Sequence, residues 1–278
     1  MIISYEPDNA IKKGYISSLS NIARELAQNR WLILQLFKRD FLSMYKQSFM
    51  GILWAFIIPI ISVGTFIILN RSGIFNMGDI RTPYPLFAVL GIAFWQLFST
   101  GVIASSNSLV KAGSLVVKIN FSRKSLVLAS LGQSLVSFLI QILFAAALLF
   151  YYGIAPHWQI VLLPVLILPT FLFTAGLGFI LSILNGIMRD IGNAISVLMT
   201  FFMFLTPVLY VKPAQGFLST LSRFNPVYYF VAFPRDLILK GSSTELTGFL
   251  ISSGVAVVVF MVCIFTFHLA ESRVTERI

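Results

Sequence analysis

RDFLSMYKQSFMGILWAFIIP, residues 39–59, joins a charged, amphipathic segment directly to an apolar one. Lys46 is the last charged residue before Arg71, so residues 47–70 contain no charge. A membrane-spanning helix needs roughly 20 apolar residues, and this run is long enough for one crossing. The sequence therefore predicts that an amphipathic interface helix within residues 1–46 leads straight into a helix that crosses the membrane.

The composition is that of a polytopic membrane protein. Of the 278 residues, 58% are hydrophobic and only 11% are charged, whereas about a quarter of the residues in a soluble domain are charged. The single cysteine, Cys263, lies in an apolar run, which excludes a disulfide framework and a thiolate metal site. Membrane topology accounts for the net charge of +10, so no nucleic-acid partner is expected.

The uncharged intervals predict an all-α membrane protein with six transmembrane helices. The spans are expected at residues 47–70, 86–108, 125–150, 159–184, 191–211 and 246–270, followed by a tail at 271–278. In this arrangement both termini lie on one side, and 14 of the 20 Lys and Arg residues lie there with them. The positive-inside rule therefore places both termini in the cytoplasm.

Two apolar segments before the last span, residues 216–224 and 226–239, are each too short to cross a bilayer at about 1.5 Å per residue. They are predicted to be re-entrant or interfacial helices, which membranes tolerate where protein or a water-filled cavity satisfies the backbone. On periodicity alone, a surface cap with no part in transport is an equal alternative.

The source of energy distinguishes between kinds of transporter. None of the six spans contains Asp, Glu, Lys or Arg, which argues against an ion-driven carrier. The chain also lacks the GxxxxGK[ST] phosphate loop, so a pore subunit driven by a separate ATPase fits both absences. The cytoplasmic loop 111–124 and the pair Arg189 and Asp190 offer surfaces for such a partner. The alternative for Lys111 and Lys118 is that they only anchor the cytoplasmic side by the positive-inside rule, which requires no partner.

Aromatic residues form a stripe on each of the first two predicted spans. Helical spacing places these rings on one face of each helix. Aromatic faces stack on the apolar faces of sugar rings, so one prediction is a path for sugars. The alternative is that the rings face lipid. The predicted path consists of Tyr45, Phe49, Phe56, Phe87, Phe94 and Phe98.

Small and polar residues form two further stripes. Thr174, Gly178, Ser182 and Gly186 recur every four residues, a pattern that lets membrane helices approach closely. A second stripe, consisting of Ser130, Ser134, Ser137 and Gln141, is expected to form hydrogen bonds between helices.

The chain resembles the membrane subunits of ABC type 2 exporters, in particular the polysaccharide-exporting branch. The resemblance rests on Tyr45-Lys46-Gln47-Ser48, Gly51, Trp54-Ala55-Phe56 and Pro59 at the first span, and on Asn225-Pro226, Tyr229-Phe230 and Arg235-Asp236 before the last. It implies an outer gate formed by Asn225, Pro226, Tyr229, Phe230 and Arg235. It also implies contact with an ATPase through Lys111, Lys118, Arg123, Arg189 and Asp190.

The same resemblance implies a partner set and a location. Two copies of the chain would form the channel and two ATP-binding subunits would carry ATP and Mg, so this chain itself would hold no cofactor, metal or catalytic residue. The transported substrate would be a lipid-linked polysaccharide such as an O-antigen, capsule or wall teichoic acid. The protein would lie in the bacterial inner membrane, in contact with its lipids. The main alternative is an ABC type 2 exporter of a drug or lipid. A membrane enzyme acting on lipid-linked sugars is a second alternative, although Asp40, Asp79, Asp190 and Asp236 are isolated rather than paired.

Overall fold

The computed structural model of the chain describes residues 15–45, 53–72, 82–113 and 122–274. These residues form helices joined by short connections, and they contain no strand. The α-helices, in chain order, are α1 (Tyr15–Gln28), α2 (Arg30–Tyr45), α3 (Trp54–Arg71), α4 (Tyr84–Ser106), α5 (Ser108–Ala112), α6 (Arg123–Tyr151), α7 (Leu163–Leu166), α8 (Leu168–Ile187), α9 (Asp190–Leu205), α10 (Phe217–Phe224), α11 (Pro226–Lys240) and α12 (Leu246–Val274). A 3-10 turn at Trp158–Leu162 precedes α7.

Four helical segments are long and apolar enough to cross a membrane. They are α4, α6, the segment Trp158–Ile187 that ends with α8, and Leu246–Ala270 of α12. Each coincides closely with one of the predicted spans. The two remaining predictions coincide with shorter helices, since α3 has 18 residues and α9 has 16.

The predicted fifth span, 191–211, extends beyond the helix that the structure shows. Helix α9 ends at Leu205, and Thr206 is extended with φ −99° and ψ 127°. Thr206 precedes Pro207, whose ring disfavours helical geometry at the residue before it. Residues 206–211 therefore form a connection rather than the last turns of a helix.

Helix α4 is the centre of the bundle. It packs against α6 and α8 and also contacts α3, α9 and α11. In its most apolar 18-residue window 83% of the residues are buried, compared with 22–28% in the other three long segments. Those three segments therefore keep one side on α4 or on one another and turn the other side outward.

Small residues set the distances between the long helices. A Cβ on Gly101 of α4 would lie 2.5 Å from Thr174 Cγ2 of α8, and one on Gly178 would lie 2.6 Å from Ser105 Cβ. A Cβ on Gly176 would lie 2.9 Å from Phe260 Cα of α12. The prediction that small residues of this stripe permit close helix approach is confirmed at Gly178.

The polar stripe on α6 differs from its prediction. Ser130 Oγ donates to Val127 O at 2.7 Å, and Ser134 Oγ donates to Leu131 O at 2.8 Å. The prediction of hydrogen bonds between helices is wrong for these two serines, because their hydroxyls are satisfied by backbone carbonyls one turn back.

The N-terminal helices are attached to the bundle by packing and by charge. Helix α2 packs on α6, where a Cβ on Gly132 would lie 2.8 Å from Phe37 Cε2. Lys124, which is fully buried at the start of α6, forms an ion pair of 3.2 Å with Glu25 of α1. Because a buried charge without its partner is costly, this pair holds α1 in one position.

Candidate functional site

The residues predicted to form an outer gate lie at the start of α11 and along it. Asn225 is the N-cap of this helix: its Oδ1 accepts from Val227 N at 3.0 Å, and Pro226 occupies the first helical position. Asn225 Nδ2 donates to Thr206 Oγ1 at 2.9 Å in the connection after α9. Both halves of the buried amide are therefore used, one to start α11 and one to attach it to residues 206–211.

Arg235 connects α11 to two other parts of the chain. Its Nη1 donates to Val208 O at 2.7 Å, and its guanidinium lies 3.7 Å from the centre of the Phe87 ring on α4. Nε lies 3.8 Å from Asp236 Oδ1, so the nearest carboxylate is on the same helix. The side chain is 4% exposed. A planar cation that stacks on one face and donates from its edge makes both contacts at once.

A glycine makes room for this arrangement. A Cβ on Gly91 of α4 would collide with the Val208 carbonyl oxygen and would lie 3.3 Å from Arg235 Nη1. Gly91 lies one helical turn after Phe87, on the face of α4 that carries the aromatic stripe. Thr206 and Val208 were not predicted from the sequence. The signal that points to them is Pro207, which ends α9 and exposes backbone groups to α11.

Tyr229 and Phe230 face different neighbours. Tyr229 Oη donates to Arg223 O at 3.1 Å, and its ring lies against Gly248 of α12, where any Cβ would collide with it. Phe230 is fully buried, and its ring lies 5.8 Å from that of Phe173 on α8. Helix α11 is therefore packed between α8 and α12 by the two aromatic residues predicted for the gate.

A polar cluster lies beside these aromatic residues. Tyr228 Oη donates to Glu245 Oε1 at 2.7 Å, and Lys212 Nζ lies 3.7 Å from the same carboxylate oxygen and 4.9 Å from the centre of the Tyr228 ring. Burial, followed by the neighbouring Glu245 carboxylate, raises the pKa of Tyr228 above its ordinary value. The phenol therefore remains a donor at physiological pH, and the cluster links the segments on either side of α10 and α11.

The aromatic stripe on α4 lies inside the folded chain. Phe87, Phe94 and Phe98 are 3%, 0% and 2% exposed. The Phe94 ring lies 5.3 Å from that of Phe138 on α6, and the Phe98 ring is stacked at 6.0 Å on that of Phe173. A sugar path along this face would require α4 to separate from its neighbours.

The stripe on the first span is placed differently. Phe56 on α3 is 39% exposed. Tyr45 is the last residue of α2, but its side chain is not among the described parts of the structure. Phe49 lies outside the described residues.

The residues predicted to contact an ATPase lie at two turns. Arg189 and Asp190 are exposed between α8 and α9, next to Ile187 and Met188, which are 56% and 60% exposed. Lys111 is exposed on α5, the short helix that follows α4. The other predicted contacts are Arg123, which is half-buried at the start of α6, and Lys118, which lies outside the described residues.

The described residues contain no group of three or more His, Cys, Asp or Glu that is placed to hold a metal ion. What the geometry provides is a set of packed helices with two exposed turns, together with a buried polar and aromatic region around α11.

Comparison with known proteins identifies the family. Residues 32–239 match the family model described as ABC-2 type transporter. The chain is 32% identical over 193 residues to the O-antigen export system permease protein RfbA of Myxococcus xanthus, covering 68% of this chain and 72% of the relative. Two proteins of Klebsiella pneumoniae with the same name are 26% identical over 235 residues and 25% identical over 242 residues. These alignments cover 80% and 84% of this chain, and 88% and 90% of the relatives. The chain is a transport subunit that belongs to the ABC-2 type transporter membrane family.

Proposed function

We propose that the chain is the channel-forming subunit of an ATP-driven exporter that moves a lipid-linked polysaccharide of the O-antigen class out of the cytoplasm. The observation that carries the proposal is similarity, over most of its length, to permeases of O-antigen export systems from two organisms. The absence of a phosphate loop from the sequence supports a separate ATPase subunit as the source of energy.

The proposal includes an arrangement in the membrane. Helices α3 and α9 would be the first and fifth of six spans, completing the set that begins with the four long segments. Helices α10 and α11 would be re-entrant, since α10 has 8 residues and α11 has 15, too few to cross a bilayer. The buried amide of Asn225 and the buried guanidinium of Arg235 support this placement, because polar groups at membrane depth need protein partners.

The proposed assembly consists of two copies of this chain and two ATP-binding subunits in the bacterial inner membrane. The exposed turn at Arg189 and Asp190 and the exposed Lys111 would contact the ATP-binding subunits, together with Arg123 and Lys118. The buried region around Asn225, Pro226, Tyr229, Phe230 and Arg235 would close the opposite end of the channel.

A deletion experiment tests the proposed passenger. In the source bacterium without this chain, surface polysaccharide should be lost while its lipid-linked precursor accumulates inside, and the intact chain should restore export. Full-length surface polysaccharide in the deletion strain, combined with a changed sensitivity to drugs or a changed lipid distribution, would support the drug or lipid exporter instead. A precursor that is never completed would support the membrane enzyme.

A further inference from the structure

Asn185 is a buried side chain that joins the two exposed turns described above. It lies near the end of α8 and is 1% exposed. Its Nδ2 donates to Ser106 O at 3.0 Å and to Asn107 Oδ1 at 3.1 Å, both at the end of α4. Its Oδ1 accepts from Gly192 N at 2.8 Å in the first turn of α9. One amide therefore connects the ends of three helices.

The surroundings hold this amide in place. Asn107 Nδ2 donates to Ile103 O at 2.8 Å, which turns Asn107 Oδ1 toward Asn185. A Cβ on Gly192 would lie 2.8 Å from Asn107 Oδ1 and 2.9 Å from both polar side-chain atoms of Asn185. A methyl group at this position would therefore displace at least one of the two amides from its hydrogen bonds.

The exposed residues on either side of Asn185 are those expected to contact the ATPase. Arg189 and Asp190 follow Asn185 in the turn from α8 to α9, and Lys111 follows Asn107 by one turn of helix. Helix α4 runs from this cluster to the region around Arg235, where it contributes Phe87 and Gly91. Hydrogen bonds therefore join the α8–α9 turn to the helix that reaches the region around Arg235.

We propose that Asn185 is a positioning residue that couples movement of the α8–α9 turn to α4. The inference rests on the proposed function, in which the turn contacts an ATP-binding subunit. Asn185 does not contact that subunit, because it is buried. Its role is to keep the turn, the end of α4 and the start of α9 moving as one body, so that ATP hydrolysis is converted into movement of the channel helices.

The first test compares Asn185→Leu, which has similar volume but makes none of the three hydrogen bonds, with Asn193→Leu on the exposed side of α9. The full transporter is assembled with its ATP-binding subunit, and polysaccharide exported is measured per ATP hydrolysed. We expect Asn185→Leu to lower this ratio at least about fivefold, the lower end of typical coupling between sites. The amount of co-purified ATP-binding subunit should be unchanged, and Asn193→Leu should match the wild type in both measurements.

A second pair of variants keeps the test decisive where Asn185→Leu reduces the amount of folded protein. Asn107→Leu removes the Oδ1 acceptor that Asn185 uses and should lower the ratio. The double variant Asn107→Leu, Asn185→Leu should lose no more than the larger single effect, because the two amides act as one unit. Independent, multiplicative losses would overturn the inference.

The readouts separate this inference from the proposed function. A wild-type ratio of export to hydrolysis in Asn185→Leu overturns the inference alone. Failure of the wild-type chain to bind any ATP-binding subunit overturns the proposed function together with the inference. The variant with Arg189→Ala and Asp190→Ala should instead bind less of the ATP-binding subunit, which distinguishes loss of contact from loss of coupling.

Discussion

At the scale of the residue, position decides the role of a side chain more than its type does. Arg223 and Arg235 lie 12 positions apart in the same connection between α9 and α12, yet Arg223 is exposed and Arg235 is 4% exposed. Only Arg235 has a carbonyl and an aromatic face within contact distance. Asn185 and Asn193 form a similar pair, one buried among three hydrogen bonds and one exposed.

Replacing Arg235 by Lys should destabilise the protein. A lysine ammonium is a compact point charge, so it can keep either the Val208 carbonyl or the Phe87 ring but does not reproduce the flat contact to both. An unsatisfied buried group costs about 1–3 kcal/mol, which should lower the thermal unfolding midpoint of the purified protein in detergent. Arg223→Lys is the matched control and should unfold like the wild type. An Arg235→Lys variant as stable as that control would show that the guanidinium geometry is not needed.

Two phenylalanines test the proposed sugar path. Phe56→Ala, at an exposed ring, should lower polysaccharide export without lowering the amount of protein in the membrane, because Ala is tolerated in a span. Loss of about 1 kcal/mol of stacking corresponds to roughly fivefold slower export. Phe94→Ala should instead lower the unfolding midpoint, because it leaves a cavity between α4 and α6.

Ile61→Ala is the control for the exposed ring, since Ile61 is 58% exposed on another face of α3. Normal export by a Phe49→Ala, Phe56→Ala double variant would rule out the α3 stripe as a sugar path and would favour rings that face lipid.

At the scale of the element, close contact between helices depends on individual glycines. Helices α8 and α12 approach each other at Gly176, where the opposing atoms belong to the backbone of Val259 and Phe260. Gly176 lies on α8, whereas Gly254 lies on α12, and a Cβ added to Gly254 would meet nothing within 4 Å. The same substitution therefore has opposite consequences at two positions of one helix pair.

Gly176→Ala should lower the unfolding midpoint, whereas Gly254→Ala should leave it unchanged or raise it slightly. A backbone neighbour cannot move aside as a side chain can, so the added methyl forces the helices apart, at a typical overpacking cost of about 1–3 kcal/mol. The midpoint is measured on both purified variants in the same detergent. Equal midpoints for the two variants would contradict the close approach of α8 and α12.

At the scale of the whole molecule, the six-span topology depends on the distribution of positive charge. In that topology the cations of the N-terminal segment and of the two turns proposed to contact the ATPase would lie on one side, and those of the loop between α9 and α12 would lie on the other. The four cations of this loop oppose the arrangement, but the 14 Lys and Arg residues on the side of the termini outnumber the six on the other side.

Cysteine labelling measures this topology in a Cys263→Ala background. Single cysteines at Asn76 and Gln215 should react with a membrane-impermeant reagent in intact cells, and those at Ser18 and Ser272 should react only after the cells are opened. The reason is the excess of Lys and Arg on the side of the two termini. Labelling of a cysteine at position 272 in intact cells would require an odd number of spans or an inverted orientation.

The sequence by itself determined the class of protein and the positions of most helices. Uncharged runs of near-minimal length identify the long helices, because a bilayer has a fixed thickness and excludes charge. The two short helices near Asn225 were also placed to within one residue at each end. The start of α11 has local signals, since Asn is its N-cap and Pro occupies its first position. The short motifs at the first span and before the last span were enough to indicate the family.

Only the tertiary structure decided which faces of these helices are buried and which distant residues meet. Phe56 and Phe94 have the same helical spacing within their stripes, yet one is 39% exposed and the other is fully buried. Hydropathy cannot separate the two cases, because lipid and protein interior are equally apolar. The contacts of Arg235 and Asn185 join residues 27 and 79 positions apart. No periodicity encodes such pairs, because they form only when the helices pack.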